Sequence, residues 1–306
     1  MNQPAPRPTG GRPAADAGQT VIDHVQVTQK ALERAGVSFG HGTHNAFDEA
    51  VWLVLWRLRL PLDQLDAVKD RLVSPEESEA IATLLRARIS TRKPAAYLTR
   101  EAWLQGVPFY VDERAIVPRS LIAELMADAS LDAWLHPDTQ RVLDLCTGNG
   151  SLAIIAALTY PEVLVDAIDL SADALAVARI NVERHGLQER ITLIEGDGLQ
   201  RAGVYDLILC NPPYVNAQSM AALPPEYQAE PTLALAGGVD GMDFVRQLLS
   251  QAAQHLTAHG VLVLEIGHER AHFEAAFPTL QPIWLTTSAG DDQVLLLERS
   301  QLMGAA

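Results

Sequence analysis

Cysteine is scarce in this chain, since only Cys146 and Cys210 occur among its 306 residues. Two thiols are too few for a disulfide framework or a cysteine-rich metal centre. Both lie in apolar runs of strand-like character, so we expect buried free thiols in a reducing compartment. No metal site is expected either. His41 and His44 lie in a glycine-interrupted loop without a cysteine or carboxylate set to complete one.

Long apolar runs and basic residues are also lacking. No run approaches the roughly 20 apolar residues that span a bilayer, and the N-terminus has no basic start followed by an apolar core. We therefore expect a cytoplasmic protein without a membrane partner. Lys and Arg total 23 against 38 Asp and Glu, a net charge of −15. This charge keeps a protein soluble, argues against an extensive nucleic-acid footprint, and favours a neutral or basic partner.

Apolar spacing predicts helices in the first third of the chain. Residues 1–18 are rich in Pro, Gly and Ala and are expected to be a disordered tail. Helical patterns follow at 21–35 and 47–58, and a third helix begins at the capping signal of Ser74. Aromatic residues alternating with Gly and Pro then predict a short hairpin. We expect a helical domain at 19–95, a hairpin linker at 96–116 and a second domain at 117–306.

From residue 141 onward, strand-like runs alternate with helical patterns. The strand-like runs lie at 142–145, 164–168, 191–194, 207–210, 261–266 and 294–297, and the helical patterns at 152–158, 172–185 and 244–259. Such alternation is typical of a parallel sheet covered by helices on both faces. The sequence therefore predicts an α/β doubly wound domain.

Polar or glycine-containing segments overlap the end of one of these runs and follow three others. They are Asp144 with Cys146, Thr147, Gly148, Asn149 and Gly150; Asp169 with Leu170; Asp197 with Gly198; and Asn211, Pro212, Pro213 and Tyr214. Ligands of open α/β sheets bind beyond the carboxyl ends of the strands, where glycines let the backbone approach closely. The Asp169 carboxylate can accept both hydroxyls of a ribose, and Asp197 can accept from an adenine amino group. These features predict a nucleoside site.

The segments, in this order, resemble the class I S-adenosylmethionine-dependent methyltransferases. The corner at 211–214 resembles that of the enzymes which methylate a protein glutamine. Four further segments resemble the branch acting on large-subunit ribosomal protein L3 rather than on release factors; they lie at 39–43, 48–50, 117–120 and 237–241. The resemblance covers nearly everything after residue 20. It implies a Rossmann-like seven-stranded sheet with an antiparallel last strand, a basic ribosomal protein as substrate, and S-adenosyl-L-methionine as methyl donor, leaving S-adenosyl-L-homocysteine.

The resemblance and the residues together predict a catalytic corner of Asn211, Pro212 and Tyr214, with Pro213 also contacting the substrate. The Asn211 side-chain oxygen and the Pro212 carbonyl can each accept one amide N–H, which fixes the nitrogen, and Tyr214 offers a ring face. Cofactor binding is predicted for one larger set: Asp144, Cys146, Thr147, Gly148, Asn149, Gly150, Asp169, Leu170, Asp197, Gly198 and Asn211. Three residues depart from the family pattern, namely Asn149, Ala229 and His44.

Several alternatives remain at this point. The corner would also suit the exocyclic amine of a nucleic-acid base, although the charge of −15 disfavours such a substrate. The glycine spacing, which extends to Ala153, fits a nicotinamide-dependent dehydrogenase, but that function leaves the corner unexplained. Methylation of release factors and a non-catalytic binding module are the other possibilities. The oligomeric state does not follow from the sequence.

Overall fold

A computed structural model describes residues 18–304, so nearly all of the predicted disordered tail at 1–18 lies outside the described residues. The helices are α1 (Val21–Ala35), α2 (Ala46–Arg57), α3 (Leu65–Val68), α4 (Pro75–Thr91), α5 (Ala95–Thr99), α6 (Ile122–Ala127), α7 (Ser151–Thr159), α8 (Ala172–Arg184), α9 (Ala217–Ala222), α10 (Asp243–Ala252), α11 (Arg270–Ala276) and α12 (Arg299–Met303). Within the described part of the chain, no helix has the length and apolar character needed to cross a membrane.

The strands form a two-stranded hairpin and a larger sheet. They are β1 (Ala102–Leu104), β2 (Val107–Phe109), β3 (Arg141–Leu145), β4 (Leu164–Asp169), β5 (Ile191–Glu195), β6 (Tyr205–Cys210), β7 (Leu256–Glu265), β8 (Ile283–Thr287) and β9 (Gly290–Glu298). The large sheet has the order β5-β4-β3-β6-β7-β9-β8. Because β9 runs antiparallel to both its neighbours, the predicted seven-stranded sheet with an antiparallel last strand is confirmed.

The N-terminal helices form where apolar spacing and capping predict them. Ser74 caps α4 by accepting from the backbone N–H of Glu77, whose carboxylate accepts from the Ser74 N–H, so the predicted capping box is confirmed. The apolar side chains of α1, α2 and α4 pack into one buried cluster. This cluster extends to Val111 and Val117, beyond the helices themselves. Ala102 of β1 also belongs to this cluster, whereas Phe109 of β2 belongs to a cluster on one face of the large sheet. The hairpin therefore contacts both, and α5 spans the proposed boundary at 95/96.

Apolar side chains cover the two faces of the large sheet in separate clusters. One contains the buried side chains of α6 and α7, and the other those of α10 with Phe273 of α11 and Leu302 of α12. The interiors of β3, β4, β6 and β7 are therefore buried on both sides, as expected for central parallel strands in an α/β domain. This packing fixes the carboxyl ends of β3, β4, β5 and β6 side by side at one edge.

Two sequence predictions differ from the structure. The helix predicted at 244–259 ends at Ala252, because Leu256 continues the apolar spacing of Leu248 and Leu249 but already belongs to β7. The runs identified from the sequence omit β8. Its Ile-Trp-Leu-Thr-Thr composition is strand-like, but only Leu285 and Thr287 of this edge strand are buried, so its apolar signal is weak.

Candidate active site

The carboxyl ends of β3 to β6 surround one cavity. Most of the predicted site residues line it. Of those residues, Cys146, Gly148, Asp169, Leu170, Asp197, Gly198, Asn211 and Pro213 line it. Asp144, Thr147, Asn149, Gly150, Pro212 and Tyr214 do not. Two segments that sequence reasoning did not assign to the site complete the walls. One is the stretch 114–116 before α6, and the other contains Pro231, Leu233 and Ala234.

The loop after β3 turns sharply through left-handed backbone conformations. Gly148 and Gly150 have φ of 56° and 82°, and Cys146 adopts φ 61° despite its side chain. A Cβ on Gly150 would lie 3.2 Å from the Cβ of Ala178, so glycine also permits close packing against α8. Gly148 thus brings the loop backbone into the cavity wall, as expected for a nucleotide-type ligand.

Asp144 is fully buried beneath this loop and does not reach the cavity. Its Oδ2 accepts from the Thr147 hydroxyl at 2.5 Å and from the Ala153 N–H at 2.9 Å. Burial raises the pKa of Asp144 to about 7, against the effect of these hydrogen bonds. Asp144 therefore braces the loop and the first turn of α7 in this structure. Direct contact with a cofactor stays a prediction.

Asp169, at the end of β4, lines the cavity directly. Its Oδ2 accepts from the Gly148 N–H and its Oδ1 from the Ser171 N–H, both at 2.8 Å. Burial raises the pKa of Asp169, although both backbone donors oppose that effect. Each carboxylate oxygen retains a further lone pair. This carboxylate can thus accept ribose hydroxyls at the point where the sequence predicted them.

Two further cofactor candidates, Asp197 and Asn149, differ in their exposure. Asp197 is exposed at the cavity edge, with only a long contact to Gln200 at 3.5 Å, so it can accept from an amino group. Asn149 is buried, and its Oδ1 accepts from the Ser151 N–H at the start of α7. This hydrogen bond satisfies the side-chain oxygen of Asn149, whereas its Nδ2 atom is buried without a hydrogen-bond partner among the described residues.

Cys146 and Cys210 are both free thiols, as expected. Burial is confirmed for Cys210, but it is wrong for Cys146, which is partly exposed. The reason is that Cys146 follows β3 instead of belonging to it, and its turn carries it into the cavity wall. The neighbouring Cys210 thiol and the partial burial of the side chain raise the pKa of Cys146. The thiol is therefore protonated near neutral pH.

The corner at 211–214 leaves the sheet directly after β6. Asn211 and Pro213 are half-buried and line the cavity, whereas Pro212 is buried. Among the described residues, nothing hydrogen-bonds to the Asn211 side chain or to the Pro212 carbonyl. Both oxygens retain their capacity to accept from an incoming N–H group, which is the chemistry predicted for them.

The glycine-rich segment 237–241 packs directly against this corner. Gly237 donates its N–H to the Val215 carbonyl at 2.9 Å, and Val215 donates to the Leu235 carbonyl at the same distance. A Cβ on Gly237 would lie 2.7 Å from the Tyr214 Cα, and one on Gly241 would lie 2.3 Å from the Tyr214 carbonyl oxygen. Only glycine permits such an approach, so this segment fixes the backbone of the corner.

Tyr214 points away from the cavity lining and toward Glu265 at the end of β7. Its hydroxyl lies 3.4 Å from Glu265 Oε1, and Glu265 Oε2 accepts from the Ser120 hydroxyl at 2.6 Å. Burial raises the pKa of both Tyr214 and Glu265. Sequence reasoning missed Glu265, because it lies inside an apolar strand far along the chain. Contact of the Tyr214 ring with a substrate stays a prediction.

A largely buried group of acidic and basic side chains connects the N-terminal helices to the loop after the corner. This charge cluster consists of His41, Glu49, Arg88, Arg92, Arg119, Glu226 and Glu230. Arg88 donates through Nε to Glu49 at 2.7 Å and through Nη1 to Glu226 at 3.1 Å. Sequence reasoning missed it because Arg88 and Glu226 are 138 positions apart. No local pattern identifies such partners.

Glu230 ties the cavity wall to this charge cluster. Arg119 donates from Nη1 and Nη2 to its two carboxylate oxygens, each at 2.7 Å, and His41 Nε2 lies 3.4 Å away. Burial opposes ionisation of Glu230, but the Arg119 charge and the His41 ring outweigh it and lower the pKa of Glu230 to about 2. Pro231, the next residue, lines the cavity. The loop carrying Ala229 is thus held in place without a histidine at that position.

His41 and His44 have different surroundings in the loop that the sequence predicted. His41 is buried against Tyr227, with ring centroids 4.3 Å apart, whereas His44 is exposed. A Cβ on Gly40 would lie 2.7 Å from the Tyr227 hydroxyl, so this loop packs closely on the turn at 225–229. The third departure from the family pattern, His44, therefore lies outside the charge cluster.

The fold and this cavity define an S-adenosylmethionine-dependent class I methyltransferase. Asp169 and the close backbone approach at Gly148 fit the ribose-bearing half of the methyl donor. The family model of the methyltransferase small domain matches residues 123–223. The hMettl16 catalytic domain, solved in complex with the MAT2A 3′UTR hairpin 6, shares the fold; its TM-score is 0.50 at 14% identity, covering 73% of this chain and 81% of that one.

Curated relatives identify the family within this class of methyltransferases. The ribosomal protein uL3 glutamine methyltransferase of Bordetella pertussis is 56% identical over 288 residues, covering 93% of this chain and 96% of the relative. Its namesakes from Burkholderia pseudomallei and Neisseria gonorrhoeae are 52% and 50% identical, and each covers at least 94% of this chain and 97% of the relative. The chain belongs to the ribosomal protein uL3 glutamine methyltransferase family.

Proposed function

We propose that this enzyme transfers a methyl group from S-adenosyl-L-methionine to the side-chain amide nitrogen of a glutamine in ribosomal protein uL3. One observation carries the proposal: Asn211 and Pro213 of the corner line the same cavity as Gly148 and Asp169. An amide bound at the corner would therefore face the methyl donor. The names of relatives at 50–56% identity support uL3 as the substrate.

Positioning is the main task of the corner in this proposal. An amide nitrogen is a poor nucleophile, because its lone pair is delocalised into the carbonyl group. The Asn211 side-chain oxygen and the Pro212 carbonyl accept its two N–H groups, which orients the nitrogen and draws electron density toward it. Bound S-adenosyl-L-methionine supplies a methyl group activated by a sulfonium centre. The methylated nitrogen then loses a proton to water, so no strong base is required.

We assign separate roles to the two parts of the chain. Residues 19–95 would select the protein substrate, and residues 117–306 would hold the cofactor and the glutamine. Residues 96–116 would link these two parts. The net charge of −15 is complementary to a basic ribosomal protein. A ribosomal substrate also places the enzyme in the cytoplasm.

The proposal is tested by incubating the enzyme with labelled S-adenosyl-L-methionine and purified uL3, followed by mass spectrometry of the labelled protein. We expect label on a glutamine. Asn211→Ala should lower the initial rate by about 10²-fold or more, because it removes one of two acceptors that hold the amide. Asn45→Ala removes a similar side chain that caps α2, and it should retain activity. Absence of label on glutamine would disprove the function, and full activity of Asn211→Ala would disprove the role assigned to the corner.

A further inference from the structure

A wide groove lies on the N-terminal part of the chain, apart from the cavity at Asn211. It is formed by the start of α2, the segment 60–67 and the β1–β2 hairpin, and it shares no lining residue with that cavity. Its volume is about 1400 Å³. Pockets for small molecules measure roughly 300–1000 Å³. The groove is therefore large enough for a segment of a protein.

The walls of this N-terminal groove carry the exposed aromatic side chains of the molecule. Within residues 18–304, Phe47 and Trp103 are the only aromatic residues that are exposed, with 40% and 44% of their surface accessible. Both line the groove, Phe47 from α2 and Trp103 from β1. Leu62 and Leu65 continue the apolar surface between them. Clustered exposed aromatics are typical of protein-binding sites and supply most of their binding energy.

The rim of the N-terminal groove is acidic. Asp48, Asp63 and Asp66 line it and are exposed, and no Lys or Arg of the described chain belongs to its lining. Lys69 contacts Asp66 at 3.1 Å, but such an exposed pair does not remove the negative potential. Carboxylates repel the phosphates of RNA and attract basic side chains. Charge complementarity therefore selects a basic protein segment as the occupant.

We propose that the N-terminal groove docks a basic segment of the ribosomal protein substrate, carrying at least one large apolar side chain, at a distance in sequence from the methylated glutamine. This inference rests on the proposed function. Apolar anchors of the segment pack on Phe47 and Trp103, while its Lys or Arg side chains pair with Asp63 and Asp66. Docking at a second site raises the local concentration of the glutamine at the corner.

The test compares full-length uL3 with a short peptide centred on the glutamine that mass spectrometry identifies. The groove variants are Asp63→Lys/Asp66→Lys and, independently, Trp103→Ala. For full-length uL3 we expect KM to rise by about tenfold or more with kcat unchanged. For the short peptide, both constants should match those of the wild type, because the peptide does not reach the groove. The matched control, Glu183→Lys/Glu189→Lys, reverses two exposed carboxylates that line neither the groove nor the cavity, and it should behave as wild type.

Each other outcome would overturn the docking proposal. Unchanged KM for uL3 in both groove variants would show that the N-terminal groove is not used. An equal loss on the short peptide would assign the effect to the corner instead. A sedimentation change specific to the groove variants would identify a second copy of this chain as the occupant. Failure of the wild type to methylate any glutamine would disprove the proposed function itself, which is a distinct result.

Discussion

Asp144 and Asp169 lie at or near the carboxyl ends of two adjacent strands, but their surroundings differ. Asp169 is the last residue of β4 and lies in the cavity wall, whereas Asp144 precedes the last residue of β3 and points into the protein. Sequence reasoning located both acids, because carboxylates after apolar runs are conspicuous. It did not distinguish their roles. Successive side chains of a strand point to opposite faces, so a shift of one residue in the end of a strand changes the direction of the side chain.

The buried acid leads to a pH-dependent prediction. The folded-state pKa of Asp144 is about 7, above its ordinary value of 3.8. The folded protein therefore binds an extra proton between these values, and the free energy of unfolding should fall as pH rises from about 4 to 7. Asp144→Asn cannot ionise, and its stability relative to the wild type should increase by up to ~4 kcal/mol over this range. Urea unfolding of both proteins between pH 4 and 8 measures the difference.

Asp173→Asn, on an exposed residue of α8, is the control for this experiment and should follow the wild-type pH dependence. If the difference between Asp144→Asn and the wild type does not change with pH, Asp144 ionises normally in the folded protein. Asp144 would then brace the loop as an ionised carboxylate at neutral pH.

At the scale of elements, the corner depends on the glycine segment packed behind it. Gly241 has φ of 80°, and a Cβ there would lie 2.3 Å from the Tyr214 carbonyl oxygen. Gly241→Ala should therefore lower the free energy of unfolding by ~2 kcal/mol or more and reduce kcat, because the corner must move. Urea unfolding and initial rates measure both effects.

Gly36 offers a matched control for Gly241→Ala. It has φ of 57° but open space around its Cβ position. Gly36→Ala adds only backbone strain at the end of α1, of about 1 kcal/mol, and should leave kcat unchanged. Equal effects of the two substitutions on kcat would show that contact with Tyr214 is unimportant.

The ion pair between Glu230 and Arg119 holds the loop after the corner in place. Its pKa of about 2 lies below the ordinary value of 4.5, so its stabilising effect is present above pH 4.5 and is lost as pH falls toward 2. Glu230→Gln should lower the free energy of unfolding by ~3 kcal/mol at pH 7, because Arg119 loses its buried partner. The difference from wild type should shrink below pH 4.5, as measured by urea midpoints.

The exposed pair of Glu79 with Arg86 provides the control for this ion pair. Glu79→Gln should leave the urea midpoint unchanged at pH 7, since exposed pairs contribute little. A pH-independent difference between Glu230→Gln and the wild type would contradict the assigned pKa.

On the scale of the whole molecule, local patterns predicted most of the architecture and the position of the corner. Pro212 and Pro213 mark the end of β6 in the sequence itself, and the glycines after β3 mark a close backbone approach. The charge cluster was not predictable, because Arg88 and Glu226 meet only through the tertiary fold. The N-terminal groove was missed for the same reason, since it combines Phe47 with Trp103 of a separate element.

The charge of the whole molecule gives the last prediction. With a net charge of −15 and a basic protein substrate, association should be favoured by long-range attraction. Salt shortens the Debye length from roughly 14 Å at 0.05 M to about 4 Å at 0.5 M, so KM for uL3 should rise by about tenfold across this range. Initial rates at several salt concentrations measure the slope, and a short uncharged glutamine peptide serves as the control. Asp63→Lys/Asp66→Lys should flatten the slope for uL3. A KM that does not respond to salt would show that apolar contacts alone bring the substrate to this enzyme.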